Sequence, residues 1–221
     1  MRRMTQAALR HPCGRHTHAL LSDVIVFGKR WGKELRLPGR GARGGYFVDW
    51  ILARLSRDHS LAEFVAVELQ TMDTTGSYEA EVRAYLGGKT EAAPSKAGIN
   101  WENVAKRILP QIIFKGHVLR QEPLCQKGIY FICPTPVYER IMTRLGNALR
   151  PYHKQAGSLT FRWYSLADEC SRGSCRTLNC AGQMTTTVDQ VALAFTSPQN
   201  LPEPRVYERA IRAELSARFA E

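Results

Sequence analysis

Between Tyr46 and Tyr78 the chain holds two apolar runs of strand length on either side of a polar turn, Ser56 to Ser60. A turn of charged and small residues between two such runs is a hairpin signal. Each run contains a single acid: Asp49 lies in Tyr46 to Leu55, and Glu68 lies in Phe64 to Gln70. Alternation puts Phe64, Ala66, Glu68 and Gln70 on one face of the second strand, and that face is apolar until it reaches Glu68. A carboxylate in apolar surroundings is costly unless it is paired, neutralised or bound to a metal. Two such acids on adjacent strands point to a metal site with Asp49 and Glu68 as its ligands. The plain alternative stays open here: a surface acid at a strand start, and the polar face of a half-exposed strand.

The flanking sequence supplies a frame for that hairpin. Leu20 to Phe27, closed by Gly28, reads as a strand, and Leu37 to Gly45 as a flexible Gly/Arg loop. Tyr78 to Leu86 suits a helical turn. From Trp101 the apolar residues Val104, Ala105, Ile108, Leu109, Ile112 and Ile113 follow a helical period, with Asn100 as cap and Pro110 kinking or dividing the helix. Gly128 to Cys133 reads as a buried strand stopped by Pro134 and Pro136, and Tyr138 to Leu149 as an amphipathic helix. Gly157 to Leu166 and Gln183 to Thr196 read as strands, and Tyr207, Ile211, Leu215 and Phe219 mark a terminal helix. The expected fold class is α/β (α+β): a mixed central β-sheet with helices on its faces. The expected division is a basic N-terminal arm at 1–19, one domain at 20–197 with a cysteine loop at 168–182, and a C-terminal helix at 198–221.

Charge and cysteine content narrow the partners. Of the formal net charge of +11, the residues up to Arg43 carry +8, from ten Lys or Arg and two Asp or Glu. A basic segment directly before an acidic metal site suits a polyanionic substrate, although a solvated basic terminus is an equal reading. No apolar run approaches the ~18 residues that cross a membrane, and Met1 to Arg10 lacks the apolar segment of a signal peptide, so a cytoplasmic protein without a membrane partner is expected. The six cysteines do not form a secreted disulfide pattern. Cys170, Cys175 and Cys180 form a C-x4-C-x4-C row, but no CxxC pair and no fourth ligand accompany them, so free or locally paired thiols are expected over a structural metal.

A strand acid followed by a strand bearing acid-x-(Lys or similar), a helix and a further strand describes the core of the PD-(D/E)XK nucleases. Phosphodiester hydrolysis uses a divalent cation to neutralise phosphate and acidify a bound water. Magnesium takes few protein oxygens, and Asp49 and Glu68 would supply them. At the third position this chain has Gln70, whose amide can orient a water but carries no charge.

Three strings sharpen that pattern: Gly28-Lys29-Arg30-Trp31-Gly32-Lys33-Glu34-Leu35-Arg36-Leu37-Pro38-Gly39, Tyr46-Phe47-Val48-Asp49-Trp50-Ile51-Leu52-Ala53, and Val67-Glu68-Leu69-Gln70-Thr71-Met72-Asp73-Thr74-Thr75-Gly76. They resemble the NotI family of restriction endonucleases, a PD-(D/E)XK family with Gln in place of the usual Lys. The similarity runs from about Ser22 to Leu166. It implies a type II endonuclease using Mg2+ (with Mn2+ as a substitute), acting as a homodimer on a palindromic, GC-rich site in double-stranded DNA, with a cognate DNA methyltransferase encoded nearby. It also implies Asp49 and Glu68 as metal ligands, Gln70 completing the active site, and Glu34 as an additional acid. Lys29, Arg30, Lys33, Arg36, Arg40 and Arg43 would approach the DNA, and Arg suits guanine edges. The separate N-terminal module with a four-cysteine iron site that the best-known member carries is not expected, because the residues before the similar stretch hold one cysteine, Cys13. Two alternatives accompany this expectation: a DNA-binding protein with a degraded active site, and a structure-directed nuclease of repair or a mobile element.

Overall fold

The computed structural model describes residues 23–28, 35–38, 45–71, 79–88, 100–146, 149–169 and 175–219. The expected basic arm at 1–19 lies outside them. Among the described residues there are eight strands: β1 (Val24–Gly28), β2 (Arg36–Pro38), β3 (Gly45–Phe47), β4 (Trp50–Leu55), β5 (Leu61–Leu69), β6 (Ile129–Pro134), β7 (Ser158–Leu166) and β8 (Leu178–Thr187). The helices are α1 (Glu79–Leu86), α2 (Leu109–Arg120), α3 (Thr135–Leu145), α4 (Val188–Thr196) and α5 (Val206–Arg218). A π-helical turn at Val104–Ile108 leads into α2.

Six strands form one mixed sheet in the order β1-β4-β5-β6-β7-β8, and β2 pairs with β3 in a separate two-stranded sheet. β1, β4 and β5 are antiparallel neighbours, β6 runs parallel to β5, β7 parallel to β6, and β8 antiparallel to β7. The hairpin expected from the sequence is therefore present, as β4 and β5. Its turn is tied by Asp58, whose carboxylate accepts from the hydroxyls of Ser56 and Ser60, while His59 takes a positive φ of 64°.

The two parallel steps are crossovers through α2 and α3. Both advance in the same direction along the sheet, so right-handed connections place both helices on one face. α4 packs against α2 and α3 on that face. The core lies beneath them: Ala66, Ile129, Phe131, Leu159 and Phe161 of the sheet meet Leu109, Ile112, Ile141 and Val191 of the helices. Fully burying a Leu, Ile or Phe side chain contributes about 1.5–3 kcal/mol each, so this one layer carries most of the apolar stabilisation. Residues of the other face, Leu52, Val65, Val67, Tyr130 and Ile132, are only partly buried. The mixed sheet flanked by helices is present as expected, with α2, α3 and α4 sharing one face.

Gly128 shows how closely β6 enters the sheet. Its φ is +66°, and a Cβ there would meet the Ser158 carbonyl oxygen at 2.0 Å, so neither the backbone conformation nor the space admits a side chain.

Four local expectations are corrected. The segment 183–196 is not a single strand: β8 ends at Thr187, whose hydroxyl caps Gln190 N–H, and Val188, Val191 and Ala194 then turn onto the helix-bearing face as α4. The cysteine loop at 168–182 is shorter than expected, because Leu178 onward pairs with β7 and carries Cys180 in a strand. Tyr46 and Phe47 belong to β3, and its partner β2 (Arg36–Pro38) takes in Leu37 and Pro38, expected to begin a loop. The C-terminal segment opens with a 3-10 turn at Pro198–Asn200, and its helix starts only at Val206. At Pro110 the helix changes period rather than ending: the π turn runs into α2 with Ile108 and Leu109 both in the right-handed helical region, and Leu109 N–H donates to the Val104 carbonyl oxygen.

Candidate metal-binding acidic site

Glu68 is the next-to-last residue of β5 and pairs in register with Phe131 of β6. Even positions of β5 face the helices, and there Phe64 and Ala66 join the core while Glu68 reaches its edge. Phe131 is fully buried and stands edge-on to Phe161 at 5.9 Å, so the carboxylate borders an aromatic core. Burial pushes the Glu68 carboxyl above its ordinary range; the hydrogen bond and charge of Lys115 oppose that shift, and the charge of Asp49 adds to it. Asp49 is brought beside Glu68 by geometry, because its carboxylate accepts from the backbone N–H of Leu69, the next residue of β5.

Asp49 is placed by a different device. It is not inside a strand, as the sequence had suggested, but sits in a bend between β3 and β4. Its Oδ2 accepts the backbone N–H of Leu69 at 2.8 Å, which fastens the start of β4 to the end of β5. Gly28, at the end of β1, lies so close that a Cβ would meet the Trp50 ring at 2.4 Å and the Asp49 carbonyl oxygen at 2.7 Å. β1 thus abuts the acid, and glycine is the residue that allows it.

The third member is Lys115 of α2, which the sequence reading missed. Its ammonium donates to Glu68 Oε1, and the side chains are 7% and 14% exposed. The signal was available. Ile108, Ile112, Lys115 and Leu119 recur at the spacing of one helical face; Ile108, Ile112 and Leu119 are core residues, so a Lys among them needs a buried anion. The second carboxylate oxygen, Glu68 Oε2, is buried and makes no hydrogen bond.

The remaining expected residues divide clearly. Gln70 follows β5; its N–H donates to the Ile132 carbonyl oxygen and its side-chain amide donates to the Thr71 carbonyl oxygen at 2.9 Å, rather than to either acid. Arg36 lies in β2, a strand of the two-stranded sheet. Glu34, Lys29, Arg30, Lys33, Arg40 and Arg43 lie outside the described residues, as does Cys170. Cys175 and Cys180 are free and exposed.

Among the described residues, no group of three or more His, Cys, Asp and Glu gathers in one place. Asp49 and Glu68 nonetheless fit a hard divalent cation that keeps most of its waters. Each carboxylate has one oxygen held by the protein, by Leu69 N–H or by Lys115, and among the described residues the second oxygen takes no hydrogen bond that competes with a cation. The buried, unbonded Oε2 is the kind of orphaned acceptor that a cation or ordered water satisfies. No described helix is long and apolar enough to cross a membrane. No protein-family model matches the chain, and comparison with curated proteins finds no match.

Proposed function

We propose that the chain is a metal-dependent endonuclease of the PD-(D/E)XK type, similar to the NotI family, hydrolysing phosphodiester bonds of double-stranded DNA. The observation that carries this reading is the meeting of Asp49 and Glu68 at the end of the β4–β5 hairpin, with a buried Glu68 oxygen left unbonded. The topology supports it: three antiparallel strands, then a helical crossover to a parallel strand, with the acids at the carboxyl end of β5 where such sheets present ligands. When bound, Mg2+ or Mn2+ would neutralise phosphate charge and lower the pKa of a water.

The chain's own residues have separable tasks. Asp49 and Glu68 offer the cation one oxygen each. Lys115 balances Glu68 behind the site. Gln70, adjoining the strand end, would orient a water once its amide leaves Thr71. The basic residues Lys29, Arg30, Lys33, Arg36, Arg40 and Arg43, with Glu34 as a further acid, complete the reading through the family resemblance, as do a homodimer, a GC-rich palindrome, a nearby methyltransferase and a cytoplasmic location.

A second reading has its own support: the Gln70 amide is engaged with Thr71, and Glu68 already holds a cationic partner. Both features suit a DNA-binding protein with a degraded active site. Digestion of a complex duplex DNA with Mg2+ and sequencing of the ends separates the readings. Ends at one palindromic sequence support restriction-type cleavage; DNA retarded in a gel but left intact with either Mg2+ or Mn2+ supports the second.

A further inference from the structure

We propose that Lys115 is a positioning residue of this site, fixing one Glu68 oxygen so that the other is presented to a divalent cation. The inference rests on reading Asp49 and Glu68 as cation ligands.

Three observations carry it. Lys115 is 6% exposed on the core face of α2, although a lysine would ordinarily extend its ammonium to water. The two oxygens of Glu68 are treated differently: Oε1 accepts from Lys115, and Oε2 is buried with no hydrogen bond. At the strand position where the nuclease pattern places a lysine, this chain has the uncharged Gln70, whose amide donates to Thr71. The cation of the described site therefore comes from the helix packed on the strand, and it acts through Glu68.

Two effects oppose one another. The ammonium repels a dication, so its removal would tighten cation binding. It also holds the carboxylate at Oε1, where its hydrogen bond outweighs the smaller contribution of the Asp49 backbone. Loss of an outer partner of this kind costs about 10–100-fold in metal affinity. Because Glu68 borders the core and needs its orientation fixed to reach outward, the holding effect is the larger.

Calorimetric titration of the purified full chain with Mn2+ tests this, comparing wild type, K115M, K115R and Asp49→Asn, with a thermal melt of each. Folded K115M is expected to bind Mn2+ about 10–100-fold more weakly, while K115R keeps most of the affinity. Unchanged or tighter binding by folded K115M overturns the positioning role, the tighter result making Lys115 a competing counter-ion. If K115M does not fold, K115Q, which is uncharged but can donate to Oε1, takes its place. Retained binding in K115Q and K115R supports fixation by hydrogen bonding, and weak binding in both overturns it. Wild type that binds no Mn2+, or Asp49→Asn that binds it equally well, overturns the cation-site reading itself.

Discussion

The ammonium of Lys115 on α2 is bonded to the carboxylate of Glu68 on β5, joining positions 47 residues apart at a place nearly closed to solvent. The contact couples β5 to the helix that covers it. Removing one member of a buried pair leaves the other uncompensated and costs about 3–5 kcal/mol, whereas replacing both by apolar groups is often neutral. Glu68→Ala is therefore expected to lower unfolding free energy by about that amount, and the double change Glu68→Leu with Lys115→Met to recover most of it. Denaturant unfolding of the two variants measures this; a Glu68→Ala protein as stable as wild type would show that the pair is not formed. Lost cleavage in Glu68→Ala alone is consequently a poor test of catalysis.

The buried thiols give a second expectation. Burial pushes Cys125 up to about 11 and Cys133 up to about 12, while Cys175 and Cys180 are exposed. Only the thiolate is nucleophilic. With native protein at pH 8, iodoacetamide should modify Cys175 and Cys180 and spare Cys125 and Cys133, as read by peptide mass spectrometry. The sign for stability follows from the raised values: both thiols favour the folded state below the ordinary thiol pKa of 9.0, and that contribution is lost as pH rises from there through about 11 and 12. Stability that stayed constant from pH 8 to 11 would contradict their burial.

The helices differ sharply in what they contribute. Ile141 of α3 is fully buried, whereas α5 buries no residue and leaves Ile211 57% exposed. Ile141→Ala should cost about 2–5 kcal/mol. Ile211→Ala should stay within about 0.5 kcal/mol, as surface changes do. A large effect at Ile211 in an analytical-ultracentrifugation monomer would mean that α5 packs on the domain.

Local patterning made much of the fold readable. The Ser56 to Ser60 turn, the alternation through Phe64, Ala66 and Glu68, and the helical period from Val104 to Ile112 all reflect one buried face, which sequence records directly. The failures share a cause. Val188 to Thr196 looked like strand because Val and Phe suit either state; the Thr187 cap and the third helix position on the same sheet face decide for helix. Asp49 looked like a strand residue because Tyr46 to Leu55 is apolar throughout, yet the bend that frees its carboxylate to bond Leu69 N–H is set by packing against Gly28 and Trp50. Lys115 went unnoticed because its partner lies in another element, and only the fold brings them together.

The central claim is that Asp49 and Glu68 form a cation-dependent phosphodiesterase site. Asp49→Asn tests it most directly, because the amide oxygen can still accept from Leu69 N–H and the Lys115 pair is untouched. The measurement is single-turnover cleavage of supercoiled plasmid in Mg2+, in wild type and variant, with chelator as control and circular dichroism to show folding. The account predicts nicking or cutting by wild type that stops in chelator, and a rate lower by at least about 100-fold in Asp49→Asn, the scale of losing several kcal/mol of metal-supplied stabilisation. Equal cleavage by folded Asp49→Asn, or cleavage that persists in chelator, would contradict it.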